Sequence, residues 1–405
     1  MGSILDLEPI ARRTGRPPPL YDSVRMRGTI PFNRPYLTGR EFDYIREAVA
    51  AGQLAGNGQF TRRCQSWLQD QLGAPKALLT HSCTAALEMC ALLLDLRPGD
   101  EVIMPSFTFV STANAFALRG ATPVFVDIRA DTLNIDESLI EAAITPRTKA
   151  VVVVHYAGVG CDMAAVAAVA RRHGLTVIED AAQGLMASYQ GRPLGSLGDL
   201  AAFSFHETKN VQCGEGGALV MNDARWIERA EILWEKGTDR SKFTRGQVDK
   251  YTWVDLGSSF LPGELTAAFL WAQLEAAGDI TAARMALWQS YAQACGELLD
   301  AGIETPIVPP DCAHNAHLFR VLLPRHVPRG DVIANLNRRG VNAVFHYVPL
   351  HSAPAGRGHG RAAGPLPITD DRSARLVRLP LWVGMGDETP RDVVTELAAA
   401  VSSLV

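Results

Sequence analysis

From about residue 75 onward, short apolar runs alternate with longer segments whose apolar residues recur at helical spacing. The valine run at 151–154 has no polar residue on either face, which is typical of a strand buried on both sides. Strands and helices in alternation predict an α/β fold with a mostly parallel sheet flanked by helices. The seven predicted strands are residues 77–80, 101–104, 123–127, 150–155, 176–180, 200–205 and 217–221.

A second, smaller α/β region begins near residue 270. Helical segments at 269–277 and 282–299 lead into a strand-like run at 318–323, and helix, strand and helix follow toward the C terminus. Residues 352–367, rich in glycine, proline and arginine, are predicted to form a surface loop. The predicted organisation is an N-terminal arm, a large domain and a small C-terminal domain, at residues 1–30, 31–270 and 271–405.

Composition and charge narrow the class of protein. Of the 405 residues, 47% are apolar and 20% are charged, which is ordinary for a soluble globular enzyme. The net charge of −4 gives no electrostatic footprint for nucleic acid or for an anionic membrane surface. No apolar stretch is long enough to span a bilayer, and we expect no signal peptide. Seven cysteines without Cys-x-x-Cys pairs fit reduced thiols, so we predict a cytoplasmic protein.

Lysine is scarce in this chain. Only six of the 39 basic residues are lysines, and arginine supplies the rest. A chain that favours arginine for positive charge keeps lysine where arginine cannot replace it chemically. Lys209 is a candidate for such a role, because an amine forms a Schiff base with an aldehyde and a guanidinium does not. The alternative for Lys209 is a solvated loop lysine.

Polar and aromatic side chains follow the predicted strands at their carboxyl ends, where open parallel sheets bind ligands. Residues 82–84 (Ser-Cys-Thr) open a helix, which either binds a phosphate or is a simple N-cap. Asp180 ends an apolar strand, where it either holds a pyridinium nitrogen protonated or caps a turn. Phe107 and Phe109 either stack on a planar ring or pack in the core.

Histidine and glycine motifs carry less weight. His346 and His351 are separated by Pro349, which excludes a helix that would align them, and no third ligand is evident. His314 and His317 are equally weak candidates, so we predict no metal site. The glycines in the turn at 214–217 (Gly-Glu-Gly-Gly) permit close backbone approach or positive φ angles.

Together these segments resemble the DegT/DnrJ/EryC1/StrS family of sugar aminotransferases, from about Ile30 to the C terminus. The segments that carry the resemblance are Ser-Cys-Thr-Ala-Ala-Leu (82–87), Pro-Ser-Phe-Thr-Phe (105–109), Glu-Asp-Ala-Ala-Gln (179–183), Phe-Ser-Phe-His-Glu-Thr-Lys-Asn (203–210) and Gly-Glu-Gly-Gly (214–217). The tracts at 205–210, 247–253 and 345–351 are most similar to the dTDP-4-amino-4,6-dideoxyhexose transaminases, which act on dTDP-4-keto-6-deoxy-D-glucose.

The resemblance implies a fold-type I enzyme that binds pyridoxal 5'-phosphate and forms a homodimer with shared active sites. It implies that Lys209 forms the Schiff base and shuttles a proton, and that Asp180 pairs with the pyridine nitrogen. The other implied contacts are Gln183 to the ring hydroxyl, Phe109 to the ring face, Cys83, Thr84 and Ser204 to the phosphate, and His346 to the substrate. The partner subunit usually adds an asparagine at the phosphate, and Ser259 occupies the matching position here.

The implied reaction transfers the amino group of L-glutamate to dTDP-4-keto-6-deoxy-D-glucose with ping-pong kinetics. A 3-keto isomer is the alternative acceptor. A dehydratase of the same family would carry histidine in place of the Schiff-base lysine. A non-catalytic scaffold or regulatory protein of this fold would have lost Lys209 or Asp180, and both are present. A diphosphate calls for cationic contacts, for which Lys250, Arg240 and Arg245 are candidates.

Overall fold

The structure, a computed structural model, describes residues 29–404. The predicted N-terminal arm therefore lies outside the described residues, apart from Thr29 and Ile30. The strands are β1 (Lys76–Thr80), β2 (Glu101–Pro105), β3 (Thr122–Val126), β4 (Thr148–Val154), β5 (Thr176–Asp180), β6 (Ser188–Tyr189), β7 (Arg192–Pro193), β8 (Leu200–Ser204), β9 (Gly217–Met221), β10 (Cys312–Ala313), β11 (Phe319–Leu322), β12 (Arg361–Ala362) and β13 (Leu376–Leu379). The helices are α1 (Glu41–Ala50), α2 (Gln59–Leu72), α3 (Cys83–Leu93), α4 (Val110–Ala117), α5 (Ile140–Ala143), α6 (Met163–His173), α7 (Ile227–Trp234), α8 (Arg240–Thr244), α9 (Glu264–Glu275), α10 (Ala277–Ala294), α11 (Arg329–Arg338), α12 (Pro354–His359), α13 (Pro367–Arg375) and α14 (Thr389–Ser402).

The central sheet is mostly parallel, as the strand-helix alternation predicts. Within the described residues it has eight strands in the order β1-β9-β8-β5-β4-β2-β3-β12. Only β9 runs against its neighbours, β1 and β8. The connection at 205–216 contains no helix that could cross the sheet, so β9 returns beside β8 in the opposite direction.

Alternate residues of each strand enter the two apolar layers that cover the sheet. In β4, Ala150 and Val152 pack with helices α3, α4 and α7, whereas Val151 and Val153 pack on the opposite side with α6. Helices α1, α2 and α9 complete that second side over β1, β8 and β9. The valine run is therefore buried on both faces, as predicted, and the sheet is a rigid frame for whatever follows its strand ends.

The eighth strand comes from residues predicted to form a loop. The segment at 352–367 lies at the surface, but it contains α12 and β12, and β12 pairs in parallel with β3. Arg361 donates through Nε and Nη2 to the carboxylate of Glu101, at 3.1 and 3.0 Å. Burial raises the pKa of Glu101, but Arg361, Thr145 and Arg147 outweigh it and lower that pKa to about 2. The ion pair of Arg361 with this buried carboxylate, beside that of Arg147, therefore helps to hold the segment at the sheet edge.

A separate apolar cluster lies between α10, α11, α14 and the two-stranded antiparallel sheet of β11 and β13. Helix α9 packs on the central sheet and ends at Glu275, and α10 packs in the separate cluster and begins at Ala277. A single residue therefore connects the helices of the two regions. The predicted division at residue 270 stays a prediction. Within residues 29–404, no helix combines the length and the apolar character that crossing a membrane demands.

A buried carboxylate fixes the turn that follows β5. Glu179 has no exposed surface and accepts hydrogen bonds from the backbone N–H groups of Gly195, Leu197 and Gly198, at 2.7, 2.6 and 2.6 Å. The Nε2–H of His155 donates to the same carboxylate at 2.8 Å. Burial raises the pKa of Glu179, but these donors outweigh it and hold the pKa below its ordinary value. Glu179 therefore anchors the chain directly beside Asp180.

We expect the Glu179→Gln variant to lower the free energy of unfolding by about 3 kcal/mol, because the amide NH₂ would face N–H donors in a buried site. Denaturant unfolding at pH 7 measures this, with the exposed Glu141→Gln variant as the control that leaves the midpoint nearly unchanged. The pKa of Glu179 is lower in the folded protein than in the unfolded chain, where it is 4.5. Ionised Glu179 therefore stabilises the fold above pH 4.5, and this stabilisation is lost as the pH falls from 4.5 through the folded-state pKa. The difference in unfolding free energy between wild type and Glu179→Gln should therefore become smaller in acid. A difference that does not change with pH would contradict this role of Glu179.

Candidate active site

A cavity of about 390 Å³ lies at the carboxyl ends of the parallel strands, bounded on one side by β13. Its walls come from the segments that follow β1, β2, β5 and β8, as strand order and the position of the polar residues predict. Eight of the nine predicted site residues line it, namely Cys83, Thr84, Phe109, Asp180, Gln183, Ser204, Lys209 and His346. The ninth, Ser259, lies on an exposed segment outside it.

Lys209 lies in the loop between β8 and β9. The loop folds back on itself, because the N–H of Glu207 donates to the carbonyl of Gly214 at 2.8 Å. Burial lowers the pKa of Lys209, against the raising effects of Cys83 and Asp180. A larger fraction of the amine is therefore unprotonated at neutral pH, which is the form that attacks an aldehyde.

Asp180 ends β5 and is only 6% exposed. One carboxylate oxygen accepts the hydroxyl of Thr112 at 2.7 Å, and the other accepts the N–H of Ala182 at 3.2 Å. Burial raises the pKa of Asp180, and these two donors do not compensate for it. Lys209 and then His155 favour the ionised carboxylate electrostatically, but no cation of the described residues lies within ion-pair distance of Asp180. A cationic N–H group of a ligand would supply what this carboxylate lacks.

The start of α3 forms a concave backbone surface at the cavity. The Ser82 hydroxyl caps the helix by accepting the N–H of Ala85 at 3.1 Å, so the N-cap interpretation is correct for Ser82. The N–H groups of Cys83 and Thr84 have no acceptor within the helix and suit a phosphate. A Cβ on Gly217 would lie 2.4 Å from the Cys83 nitrogen, so this glycine is what lets α3 begin so close to β9.

The two phenylalanines after β2 have different roles. Phe107 is buried and packs edge-on against Tyr156 and Tyr347, with ring centroids 5.1 and 5.3 Å apart. Phe109 lines the cavity and is 59% exposed. Phe109 is therefore the ring that is free to cover a planar cofactor, and Phe107 belongs to the core.

Gln183 is held in one orientation. Its Oε1 accepts the N–H of Ala157 at 2.7 Å, and its Nε2 donates to the Tyr347 hydroxyl at 3.0 Å. The backbone carbonyl of Gln183 accepts a hydrogen bond from Asn315 at 2.8 Å. Gln183 therefore presents its amide to the cavity without the entropy loss of ordering a free side chain.

His346 is tied to Arg378, on β13. The Arg378 Nη1–H donates to His346 Nε2 at 2.5 Å, and the Nδ1–H of His346 donates to the Tyr156 hydroxyl at 3.2 Å. Since a guanidinium only donates, Nε2 carries no proton and the imidazole is neutral. Burial and then Arg378 hold the pKa of His346 well below its ordinary value. His351 lies apart from this pair, and its Nδ1 forms a hydrogen bond with the Ser106 hydroxyl at 2.7 Å.

Two of the residues predicted at the phosphate differ in position. Ser204 ends β8 at the cavity, where its hydroxyl accepts the N–H of His206 at 3.4 Å. Ser259 pairs through its backbone with Glu235 and lies among exposed apolar side chains. Within one chain, Ser259 does not line the cavity.

Sequence reasoning missed several residues of the cavity. Thr112 and Ser111 lie one helical turn after the Phe109 segment, and Ser111 is bonded to Thr84 at 2.8 Å. His317 was considered only as a weak metal candidate. Arg378 could have been recognised from the sequence, because an arginine inside the apolar run Leu-Val-Arg-Leu indicates a charge enclosed for a purpose.

The site fits one cofactor. One cavity contains Lys209, whose pKa is lowered, and Asp180, a buried carboxylate without an ion-pair partner among the described residues. The same cavity contains the exposed ring of Phe109 and the start of α3, whose free N–H groups suit a phosphate. This combination in a mostly parallel α/β fold defines an enzyme that depends on pyridoxal phosphate. A profile of the DegT/DnrJ/EryC1/StrS aminotransferase family matches residues 35–398. The chain belongs to this family, whose members depend on pyridoxal phosphate, and it is a sugar aminotransferase.

Known proteins resemble the chain over nearly its whole length. The spore coat polysaccharide biosynthesis protein SpsC of Bacillus subtilis is 35% identical over 376 residues, which cover 90% of this chain and 95% of SpsC. The aminotransferase TlmJ from Streptoalloteichus hindustanus has a TM-score of 0.85 at 31% identity and covers 93% of this chain and 99% of its own. DesV of S. venezuelae, solved with a ketimine intermediate, has a TM-score of 0.83 at 31% identity and covers 92% and 99%.

Proposed function

We propose that this aminotransferase transfers the amino group of L-glutamate to dTDP-4-keto-6-deoxy-D-glucose, giving a dTDP-4-amino-4,6-dideoxyhexose. The observation that carries the catalytic assignment is that the amine of Lys209 and the carboxylate of Asp180 face one cavity, and that burial perturbs the pKa of both. Burial favours the neutral amine that reacts with a carbonyl, and it leaves the carboxylate in need of a cation.

Pyridoxal phosphate, when bound, supplies an aldehyde and a ring that withdraws electrons from the reacting carbon. Asp180 would hold the proton on the ring nitrogen, since a cationic N–H relieves the energy of its buried charge. Lys209 would hold the cofactor through its amine. Freed by the donor, its Nζ would take the proton from the donor's α-carbon and later return a proton to the sugar carbon that receives the amine.

The rest of the cavity suits these roles. Cys83 and Thr84 would hold the phosphate by backbone N–H groups and Ser204 by its hydroxyl. Gln183 would contact the ring hydroxyl, and Phe109 would cover the ring face. His346, a neutral imidazole held by Arg378, would lie against the substrate.

The proposal for the sugar substrate is supported by sequence motifs and by similarity to SpsC. The tracts at 205–210, 247–253 and 345–351 resemble the branch that acts on dTDP-4-keto-6-deoxy-D-glucose. SpsC, which matches most of this chain, takes part in polysaccharide biosynthesis. Of the cations considered for the diphosphate, Arg245 is paired with the carboxylate of Glu231 at 2.8 Å, which leaves Lys250 and Arg240 as the better candidates.

The test is a paired measurement on wild type and Lys209→Ala. Wild type incubated with dTDP-4-keto-6-deoxy-D-glucose and glutamate should give an amino-sugar whose NMR spectrum shows nitrogen at C4. Borohydride should fix the cofactor to the peptide that contains Lys209. Lys209→Ala should fold normally, take no covalent label and lose turnover by at least ~1,000-fold.

Lys149→Ala is the matched control, because Lys149 is a surface lysine paired with Asp100, and it should keep both label and turnover. A label on any other lysine, or turnover retained without Lys209, would refute the assignment of the amine. A product aminated at C3 would instead overturn the substrate.

A homodimer with shared active sites is part of the proposal. Ser259 lies in a segment with large exposed apolar side chains, including Trp253 at 74%, and a second copy of the chain would cover them. It would also bring Ser259 to the partner's phosphate site.

Light scattering on the purified enzyme should give the mass of two chains or a multiple of it. A stable single chain with full activity would contradict the shared site.

A further inference from the structure

Arg378 carries a partly buried positive charge that no carboxylate in the described part of the chain neutralises. Its Nη1 is bonded to the neutral His346, and its Nε is buried without any hydrogen-bond partner. No aspartate or glutamate of residues 29–404 lies within ion-pair distance, and burial lowers the pKa of the guanidinium. An unsatisfied, buried cation destabilises a fold, so its presence calls for a ligand that completes it.

Its charged neighbours are cations as well. Arg320 faces Arg378 directly across the β11–β13 pair, is 3% exposed, and has an Nη1 without a partner. Arg284 is buried nearby and donates to the carbonyls of Ala316 and His317, at 3.0 and 2.6 Å. Three arginines therefore lie at or behind the β13 side of the cavity, and within residues 29–404 none of the three forms an ion pair with a carboxylate.

Two other arginines of this region are paired with carboxylates. Arg375, three residues before Arg378, donates to Asp371 and Glu304, both at 2.9 Å. Arg361 likewise forms its two-pronged pair with Glu101. Arg284 and Arg320 have no carboxylate partner among the described residues, but both donate to backbone carbonyls. Arg378 differs because it lines the cavity of Lys209, where a ligand supplies its own charge.

The position of Arg378 in the cavity indicates which ligand anion it could bind. Arg378 lowers the pKa of Lys209 and lines the same cavity, so it lies at the reacting end of the site. An α-amino acid has its carboxylate on the very carbon that bears the amine. In a nucleotide-linked keto-sugar, the diphosphate is attached on the other side of the sugar ring from a 4-keto group. The cofactor phosphate has its own place at the start of α3.

We infer that Arg378 binds the α-carboxylate of the amino donor and so presents the donor's α-carbon to Lys209. The inference rests on the proposed function for the reaction and extends it to the recognition of the donor. Phe32 covers the guanidinium, with the Arg378 Cζ 4.5 Å from the ring centroid, which keeps water from competing with the carboxylate. His346 fixes the guanidinium through Nη1 and leaves its other donors for the ligand.

The test follows the two half-reactions of the holoenzyme separately. Arg378→Gln should slow amine donation from glutamate on the order of 100-fold in kcat/KM. Amination of the keto-sugar by enzyme already carrying the amine should change by less than about threefold. Arg378→Lys should recover part of the loss, because it keeps the charge without the planar fork. Arg391→Gln, which removes an exposed arginine of α14, is the matched control and should behave as wild type.

Substrate analogues identify the carboxylate. Wild type should discriminate against L-isoglutamine, whose α-carboxylate is an amide, by on the order of 100-fold, and this discrimination should vanish in Arg378→Gln. Discrimination between glutamate and glutamine, which differ only at the side chain, should survive the substitution. A loss of the glutamate–glutamine discrimination instead would assign Arg378 to the side-chain carboxylate and overturn the inference.

Two further measurements separate this inference from a structural role and from the proposed function. Calorimetry should detect binding of maleate, an unreactive dicarboxylate, to wild-type holoenzyme but not to Arg378→Gln. The Tm of Arg378→Gln should equal or exceed that of wild type, because an unpaired buried charge is removed. Unchanged maleate binding, a fallen Tm, or a defect confined to the keto-sugar half-reaction would each overturn the role of Arg378. If wild type uses glutamate but rejects the keto-sugar, the proposed acceptor fails while the donor experiments still decide on Arg378.

Discussion

The cavity contains two enclosed charges of opposite sign, Asp180 and Arg378, that form no ion pair within residues 29–404. Asp180 ends β5 with hydrogen bonds from a hydroxyl and one backbone N–H, and Arg378 on β13 is bonded only to a neutral imidazole. Both charges are unfavourable in the protein alone, and ligands with a cationic N–H and a carboxylate would neutralise them. Binding energy is thereby concentrated at the two points where orientation of the reacting atoms matters most.

The remainder of the structure gives these charges their positions. Glu179 precedes Asp180 in β5 and is satisfied by backbone donors and His155, which fixes the strand end that presents Asp180. Arg375, the last residue of α13, is held by two carboxylates directly before β13 begins, which fixes the strand that presents Arg378. Glu179 and Arg375, which hold these strand ends in place, are paired within the chain. Charges that serve the ligand are left open, at an expense in stability that functional sites commonly carry.

Much of the large sheet could be predicted, because the alternation of apolar runs and helical segments is strong. Eight of the nine predicted site residues share the cavity for a related reason: parallel strands bring their carboxyl ends to one edge, and polar residues at those ends stand out against apolar strands. Ser259 does not join them within one chain, since its predicted contact belongs to a partner subunit. The strand β12 was missed because its local sequence favours a loop, and it becomes a strand only through tertiary contacts, namely backbone pairing with β3 and the ion pair of Arg361 with the buried Glu101. Arg378 was missed because its meaning depends on the absence of an acid around it, which requires the packing of β13 against the large sheet.

The most direct test of this account is the protonation state of the cofactor's ring nitrogen. The ¹⁵N NMR shift of holoenzyme reconstituted with ring-¹⁵N pyridoxal phosphate reports that state. Asp180 without a cation has a raised pKa, and a protonated ring nitrogen is the cation it lacks, so the nitrogen should stay protonated from pH 6 through pH 8. In Asp180→Asn it should lose the proton across this range. A nitrogen that is unprotonated at pH 7 in wild type would contradict the claim that this buried carboxylate organises the site.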